Sequence, residues 1–170
     1  MKDADTDPIA AFATAAEEYC DWAEAAPADA WAEAHRARQL LMELLRRAIE
    51  LPDVFSEVPE TTGVGDEEYR RTYERFGALP FNFYSECFDP LIVPAETPVI
   101  ADLADDLADI WRDVKGGLML WYAEATHGAA WHWRFHFESH WGHHATAAVY
   151  ALQAWFSQHI DDSEDASAAT

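Results

Sequence analysis

Between Ile100 and Trp121 the apolar residues keep one helical stripe: Ile100, Leu103, Leu107, Ile110, Trp111, Val114, Leu118 and Trp121. Projected at about 100° per residue they share a face, while Asp102, Asp105, Asp106, Asp109 and Asp113 gather opposite. A stripe of this length demands a helix laid against a core. Thr97-Pro98 supplies an N-cap and a first-turn proline to open it, and Gly116-Gly117 is a place for a kink. Any fold for this chain must therefore bury one side of the segment and keep five carboxylates on the other.

The rest of the chain reads in the same way. Asp7-Pro8 opens a helix with Ile9, Phe12, Ala16, Tyr19 and Ala23 on one face, ended by Pro27. A second helix runs from Asp29 to Glu50 with Ala34, Leu41, Leu44, Leu45 and Ala48 inward, and Leu51-Pro52 stops it. Asp66-Glu67-Glu68 sets negative charge at the start of a short third helix carrying Tyr69, Tyr73 and Phe76, ending at Gly77. A long connection follows, Leu79 to Thr97. Its rings Phe81, Phe83, Tyr84 and Phe88 favour packing as a cover, since a solvated loop would not carry four of them. After the turn Thr126-His127-Gly128 a last helix returns antiparallel to about Ile160. The expectation is an all-α antiparallel bundle of four longer helices, with the short helix and the aromatic loop against one side. It forms one domain over residues 8–160, flanked by a disordered N-terminus, 1–7, and a disordered acidic tail, 161–170.

Charge narrows the function. There are 32 acidic residues against 11 basic ones, a formal net charge of −21. Such a surface repels nucleic-acid phosphates and anionic membranes and favours basic proteins, besides keeping a protein dispersed. No apolar run is long enough to span a bilayer, and the acidic start lacks a signal-peptide pattern. Cys20 and Cys87 stand far apart in no metal-ligand spacing. A cytoplasmic location with reduced thiols is expected.

Chemistry concentrates in Trp131–His144, WHWRFHFESHWGHH, which holds five of the eight histidines. Its alternation alone suggests a strand. The longer stripe Ala130, Trp133, Phe137, Trp141, Ala145, Ala148, Leu152 and Trp155 decides for a helix, and no other segment offers a partner strand. On that helix Arg134, Glu138 and His144 fall within the apolar stripe, with His140 at its edge, while His132, His136 and His143 face away. A charged group on a core face needs a partner, so Arg134, Glu138, His140 and His144 are expected to form a buried polar network. Two functional readings compete with that packing role. His140 and His144 have the i,i+4 spacing that brings two imidazoles to one metal, with Glu138 as a ligand or a supporting partner. No HExxH accompanies them, and a lone Glu124-x-x-His127 falls short of a di-metal bundle site. Alternatively, a histidine beside a buried Glu could serve acid–base catalysis, though no nucleophile or paired carboxylate accompanies it.

The aspartates of the preceding helix repel one another at i,i+3 and i,i+4, by about 0.2–0.5 kcal/mol per pair. They read as a solvated face, as a docking face for a basic partner, or as the seat of the arginines of the second helix, Arg36, Arg38, Arg46 and Arg47.

These residues resemble a bacterial family, domain of unknown function 5063, from about Phe12 to Leu152. The resemblance rests on Tyr19-Cys20-x-Trp22, Leu51-Pro52, Pro80-Phe81 and Phe88-Asp89-Pro90. It rests further on Asp102 to Asp113 with Gly117-Leu118, and on Trp133-Arg134-x-x-Phe137-x-x-His140-Trp141-Gly142-x-His144. Trp111 stands where the pattern has Tyr, and His132, His136 and His143 lie outside the pattern. The resemblance implies a small helical bacterial cytosolic protein and supplies no mechanism. Taken together, the sequence leads to a non-catalytic acidic protein without a cofactor, binding a basic macromolecular partner through Asp102, Asp105, Asp106, Asp109 and Asp113. The alternative is a metal-binding protein or metal-dependent enzyme with its site at His140, His144 and Glu138.

Overall fold

In the computed structural model the described residues are 7–57 and 63–159. The expected disordered ends lie outside them, apart from Asp7, whose carboxylate accepts from the Ile9 amide at 3.1 Å as the cap of the first helix. The helices are α1 (Pro8–Glu24), α2 (Ala30–Glu50), α3 (Asp66–Arg75), α4 (Leu103–Tyr122), α5 (Thr126–His136) and α6 (Gly142–Gln158). A π-helical segment, Phe137–Trp141, joins α5 to α6. The expected mostly helical bundle is what forms. α1 packs on α2 and α4, α2 packs on α6, and the α5–α6 arm returns along α4, which also carries α3. α4 is the central element.

The stripes meet in one core. Phe12, Tyr19, Leu41, Leu44, Leu107, Ile110, Leu118, Trp133 and Trp141 are all essentially inaccessible to solvent. Trp133 lies 4.8 Å from Phe12 between ring centroids. Buried indoles and phenols must still satisfy their polar tips. Trp133 Nε1 donates to the Val114 carbonyl at 2.9 Å, Trp141 Nε1 to Trp133 at 3.2 Å, and the Tyr19 hydroxyl to Leu107 at 2.9 Å. Gly116 and Gly117 do not interrupt α4. They clear space for α5, because a methyl group at Gly117 would collide with the Trp133 indole and one at Gly116 with His132.

Three expectations need correction. First, the aromatic connection holds a strand. Phe83–Glu86 (β1) pairs antiparallel with Val99–Asp102 (β2), Phe83 opposite Asp102 and Glu86 opposite Val99. The segment from Thr97-Pro98 therefore does not open α4. Asp102 is the N-cap, accepting from the Asp105 amide at 3.1 Å, while Asn82 takes two further amides, Leu103 N–H on its carbonyl and Ala104 N–H on its side chain. Four helix-start amides need acceptors, and Asp102 with Asn82 meets that need better than Thr97 would. Ile100, counted in the stripe, is exposed on the hairpin, as are Phe83 and Phe88.

Second, the last helix is not continuous. The turn widens over Phe137–Trp141, with the Gly142 amide reaching back to the Phe137 carbonyl. A side chain at residue 142 would strike that carbonyl and the Phe137 ring, so the local geometry depends on Gly142. Third, the arginines of α2 do not meet the aspartates. Arg36 pairs with Glu18, Arg38 with Gln153, and Arg46 and Arg47 with Glu43 and Glu50. The reason is position: α2 packs on α1 and α6, away from the carboxylates of α4.

Candidate metal centre

The aspartates of α4 do not point away from the rest of the molecule. α4 is covered on both sides, by α1 on its apolar stripe and by α3 and the α5–α6 arm across its polar face. Asp106 and Asp113 are buried, Asp102 and Asp109 half-buried, and only Asp105 is exposed. A central helix has two buried faces. Its polar residues are accommodated because each finds a partner on a neighbouring element.

Tyrosines supply some of these partners. The Tyr73 hydroxyl donates to Asp102 at 3.0 Å, and that of Tyr84, on β1, to Asp106 at 2.6 Å. The Tyr69 hydroxyl lies 2.9 Å from Asp105 Oδ1 and 3.0 Å from Asp109 Oδ1. All three phenols are held above their ordinary range, Tyr69 and Tyr84 first by burial and then by these carboxylates, Tyr73 first by its hydrogen bond to Asp102. Arg112 reaches Asp109 Oδ1 at 2.6 Å and lies over the Tyr69 ring.

Histidines of the returning arm supply the rest. His140 Nδ1 is 2.7 Å from Asp113 Oδ2, and His144 Nδ1 is 2.7 Å from Asp106 Oδ1. An ionised carboxylate only accepts, so each Nδ1 carries the proton and a neutral ring leaves its Nε2 lone pair free. Both Nε2 atoms turn to the same oxygen, Asp109 Oδ2, each at 3.8 Å. The other oxygen of that carboxylate is already held by Tyr69 and Arg112. The three potential donor atoms lie within 4.8 Å of one another. His144 is raised above its ordinary value, first by its hydrogen bond to Asp106, then by the charges of Asp106, Asp109 and Asp105, against an opposing effect of burial.

The remaining predicted site residues divide. Arg134 and Glu138 pair at 3.1 Å, but Glu138 is exposed and Arg134 spends its Nη1 on the Leu51 carbonyl at the end of α2. The expected four-residue buried network is thus two separate groups, and Glu138 stands apart from the three convergent donors. Of the histidines expected to face away, His132 and His136 turn toward α4. His132 Nε2 is 3.0 Å from the Asp113 carbonyl, and His136 Nδ1 is 3.6 Å from the Asp113 carboxylate. His143 meets Glu86 on β1 at 2.7 Å. His132 and His136 precede the wide turn, on the flank by which α5 packs against α4; beyond them the π turn advances less per residue and holds His140 and His144 over the same helix. π segments of this kind recur at functional sites.

Sequence reasoning gave Asp109 a docking role instead of a place in this cluster, and it missed Tyr69, Tyr84 and Arg112 as site residues. A usable signal existed. Aspartates at 106, 109 and 113 and histidines at 140 and 144 have matching three-to-four spacing on two helices joined by a short turn. Antiparallel pairing then sets 113 against 140 and 106 against 144.

Fold and site together define a mostly helical bundle protein with a carboxylate-supported His–His–Asp cluster on its central helix. The chain belongs to the family described as Domain of unknown function (DUF5063), which it matches over residues 4–158. No curated protein matches it. Among solved structures it is similar to protein BF1032 from Bacteroides fragilis, at 19% identity over 86% of this chain and 90% of that one, with a TM-score of 0.72. At that identity the likeness speaks to the fold. No helix among the described residues is long and apolar enough to cross a membrane.

Proposed function

We propose that the protein binds a divalent transition metal through Asp109 Oδ2, His140 Nε2 and His144 Nε2. The observation that carries this reading is the pair of 2.7 Å contacts from Asp113 and Asp106 to the two Nδ1 atoms. Metal-ligating histidines are oriented in this way, with a carboxylate fixing the tautomer and raising the basicity of the ligating nitrogen. Two imidazoles and one carboxylate suit zinc, iron(II) or their neighbours, and hard calcium or magnesium poorly. Three protein ligands leave a coordination position for water or substrate, the composition of catalytic rather than structural zinc sites. The partly exposed faces of His140 and His144 give such a molecule a path. Glu138, the carboxylate expected from sequence, is replaced in this set by Asp109.

The test is elemental analysis of untagged protein prepared without chelator, followed by calorimetric titration with zinc and cobalt(II). One equivalent per chain is expected, lost in Asp109→Asn and in His140→Gln. Absence of saturable binding of zinc, cobalt(II), iron(II) and manganese(II) would end the reading.

A basic protein partner is the second reading, supported by the net charge of −21. Because only Asp105 of the five aspartates is exposed, such a partner would engage other acids, among them Glu18 and Asp21 of α1. Retention of a basic protein at low salt and its release at high salt would support it, and a lone monomer under both conditions would count against it.

A further inference from the structure

The two oxygens of the Asp109 carboxylate have different surroundings. Oδ2 faces His140 Nε2 and His144 Nε2, each at 3.8 Å. Oδ1 lies 2.6 Å from Arg112 Nη2 and 3.0 Å from the Tyr69 hydroxyl. The two donors come from different elements, Arg112 from one turn further along α4 and Tyr69 from α3. Arg112 also lies over the Tyr69 ring, 4.9 Å from its centroid, and the hydroxyl shares its single proton with Asp105 Oδ1 at 2.9 Å. A carboxylate oxygen offers about two lone pairs, so two donors leave Oδ1 with none in reserve. Held from two directions, the carboxylate is also hindered from turning about its Cβ–Cγ bond.

That division bears on which ion the centre prefers. One carboxylate oxygen and two imidazoles supply three donors, which suits a tetrahedral ion with one open position. The same carboxylate binding through both oxygens would supply a fourth donor and lead toward the higher-coordinate, oxygen-rich surroundings that suit manganese(II). The neighbouring acids are not substitutes. Asp106 and Asp113 are turned to the Nδ1 atoms of the same histidines, and Glu138 is exposed and paired with Arg134. The coordination number therefore depends on whether Asp109 Oδ1 is free.

We propose that Tyr69 and Arg112 determine the metal selectivity of the centre. By holding Oδ1 they keep Asp109 a one-oxygen ligand and the bound ion four-coordinate, which favours zinc over manganese(II) beyond the intrinsic order of the two ions. The proposal rests on the metal-binding reading above and adds what chooses the ion. Neither residue is a ligand. Because Tyr69 belongs to α3, the choice of ion depends on how α3 is seated against α4.

The experiment compares the full-length wild type with Tyr69→Phe, Arg112→Ala and the double variant. Zinc and manganese(II) affinities are measured by calorimetric titration, with a competing chelator where binding is tight, and the visible spectrum of each cobalt(II) form is recorded. The readout is the ratio of the two affinities, because loss of the Arg112 charge favours every cation alike. Wild type is expected to show the intense visible bands of four-coordinate cobalt(II). In the double variant these should give way to the weak bands of higher coordination, and the zinc-to-manganese ratio should fall at least about tenfold. A merely structural role for the pair would lower both affinities together and leave ratio and spectrum unchanged. That result overturns the proposal while the metal site stands, and so do weak cobalt(II) bands in wild type. Absence of metal binding by the wild type ends both readings. Should the double variant fail to fold, the single variants decide: each releases one donor from Oδ1, and an unchanged ratio in both overturns the proposal.

Discussion

At the residue scale the molecule turns on single atoms that are or are not already in use. Asp109 Oδ1 is held by Tyr69 and Arg112, which leaves Oδ2 to face two imidazoles. Asp106 and Asp113 orient those rings without being ligands. Asp113→Asn is therefore expected to keep the fold and lower zinc affinity by about 10–100-fold, read by competition with a chromogenic chelator; undiminished affinity would show that the carboxylate is idle. His144 also links pH to stability. Its folded value is raised by Asp106, so its stabilising contribution is complete below the unfolded value of about 6.5 and is lost as pH rises through the higher folded value. Without metal, the stability difference between wild type and His144→Gln should shrink from pH 5.5 to pH 8.5, measured by urea unfolding, and a constant difference would refute the linkage. Metal competes for the deprotonated ring, so zinc affinity should rise over the same window.

At the element scale, α4 was legible as a helix and its function as a two-sided one was not. Its apolar stripe named the core face. Nothing in the projection could say that the opposite face would be covered by α3 and the α5–α6 arm, because amphipathicity ranks the faces of one helix and is blind to a second layer. The tight α4–α5 approach makes Gly117 a further test. Gly117→Ala drives a methyl into the Trp133 indole and should cost at least about 1–3 kcal/mol of stability, whereas a helix propensity argument alone would have Ala stabilise the site by about 1 kcal/mol. The sign of the change in urea midpoint separates the two. The start of α4 offers a milder case: Asp102→Ala removes the N-cap and the acceptor of Tyr73, and about 1–2 kcal/mol of destabilisation is expected. The same change at Thr97 should be near neutral.

At the scale of the whole molecule, the acid excess was read as a surface property, yet part of it is internal architecture. Carboxylates of α4 tie down α3 through Tyr69 and Tyr73, the hairpin through Tyr84, and the returning arm through His140 and His144. A metal at the junction of α4 and that arm should stabilise the whole bundle. With free zinc at a hundred times its dissociation constant, the gain is about 2.7 kcal/mol, and chelation should return the melting temperature to that of Asp109→Asn. Equal melting temperatures with and without zinc would refute this coupling.

What the sequence determined by itself was the part of the structure that depends on near neighbours. Helix stripes, the cap at Asp7 and the stops at Pro27 and Pro52 follow from spacing and from local backbone chemistry, whereas the turn expected at Thr126–Gly128 falls at Ala123–Ala125, residues 126–128 being the first turn of α5. The tertiary structure decided which polar residues meet. Asp109 faces His140 and His144 only once α4 lies antiparallel to its successor, in a register that the π segment at Phe137–Trp141 adjusts. Tyr69 reaches the other oxygen of Asp109 only once α3 has packed on α4. Those outcomes depend on contacts between residues tens of positions apart, where the cost of burying a charge is offset by a partner that no local pattern identifies.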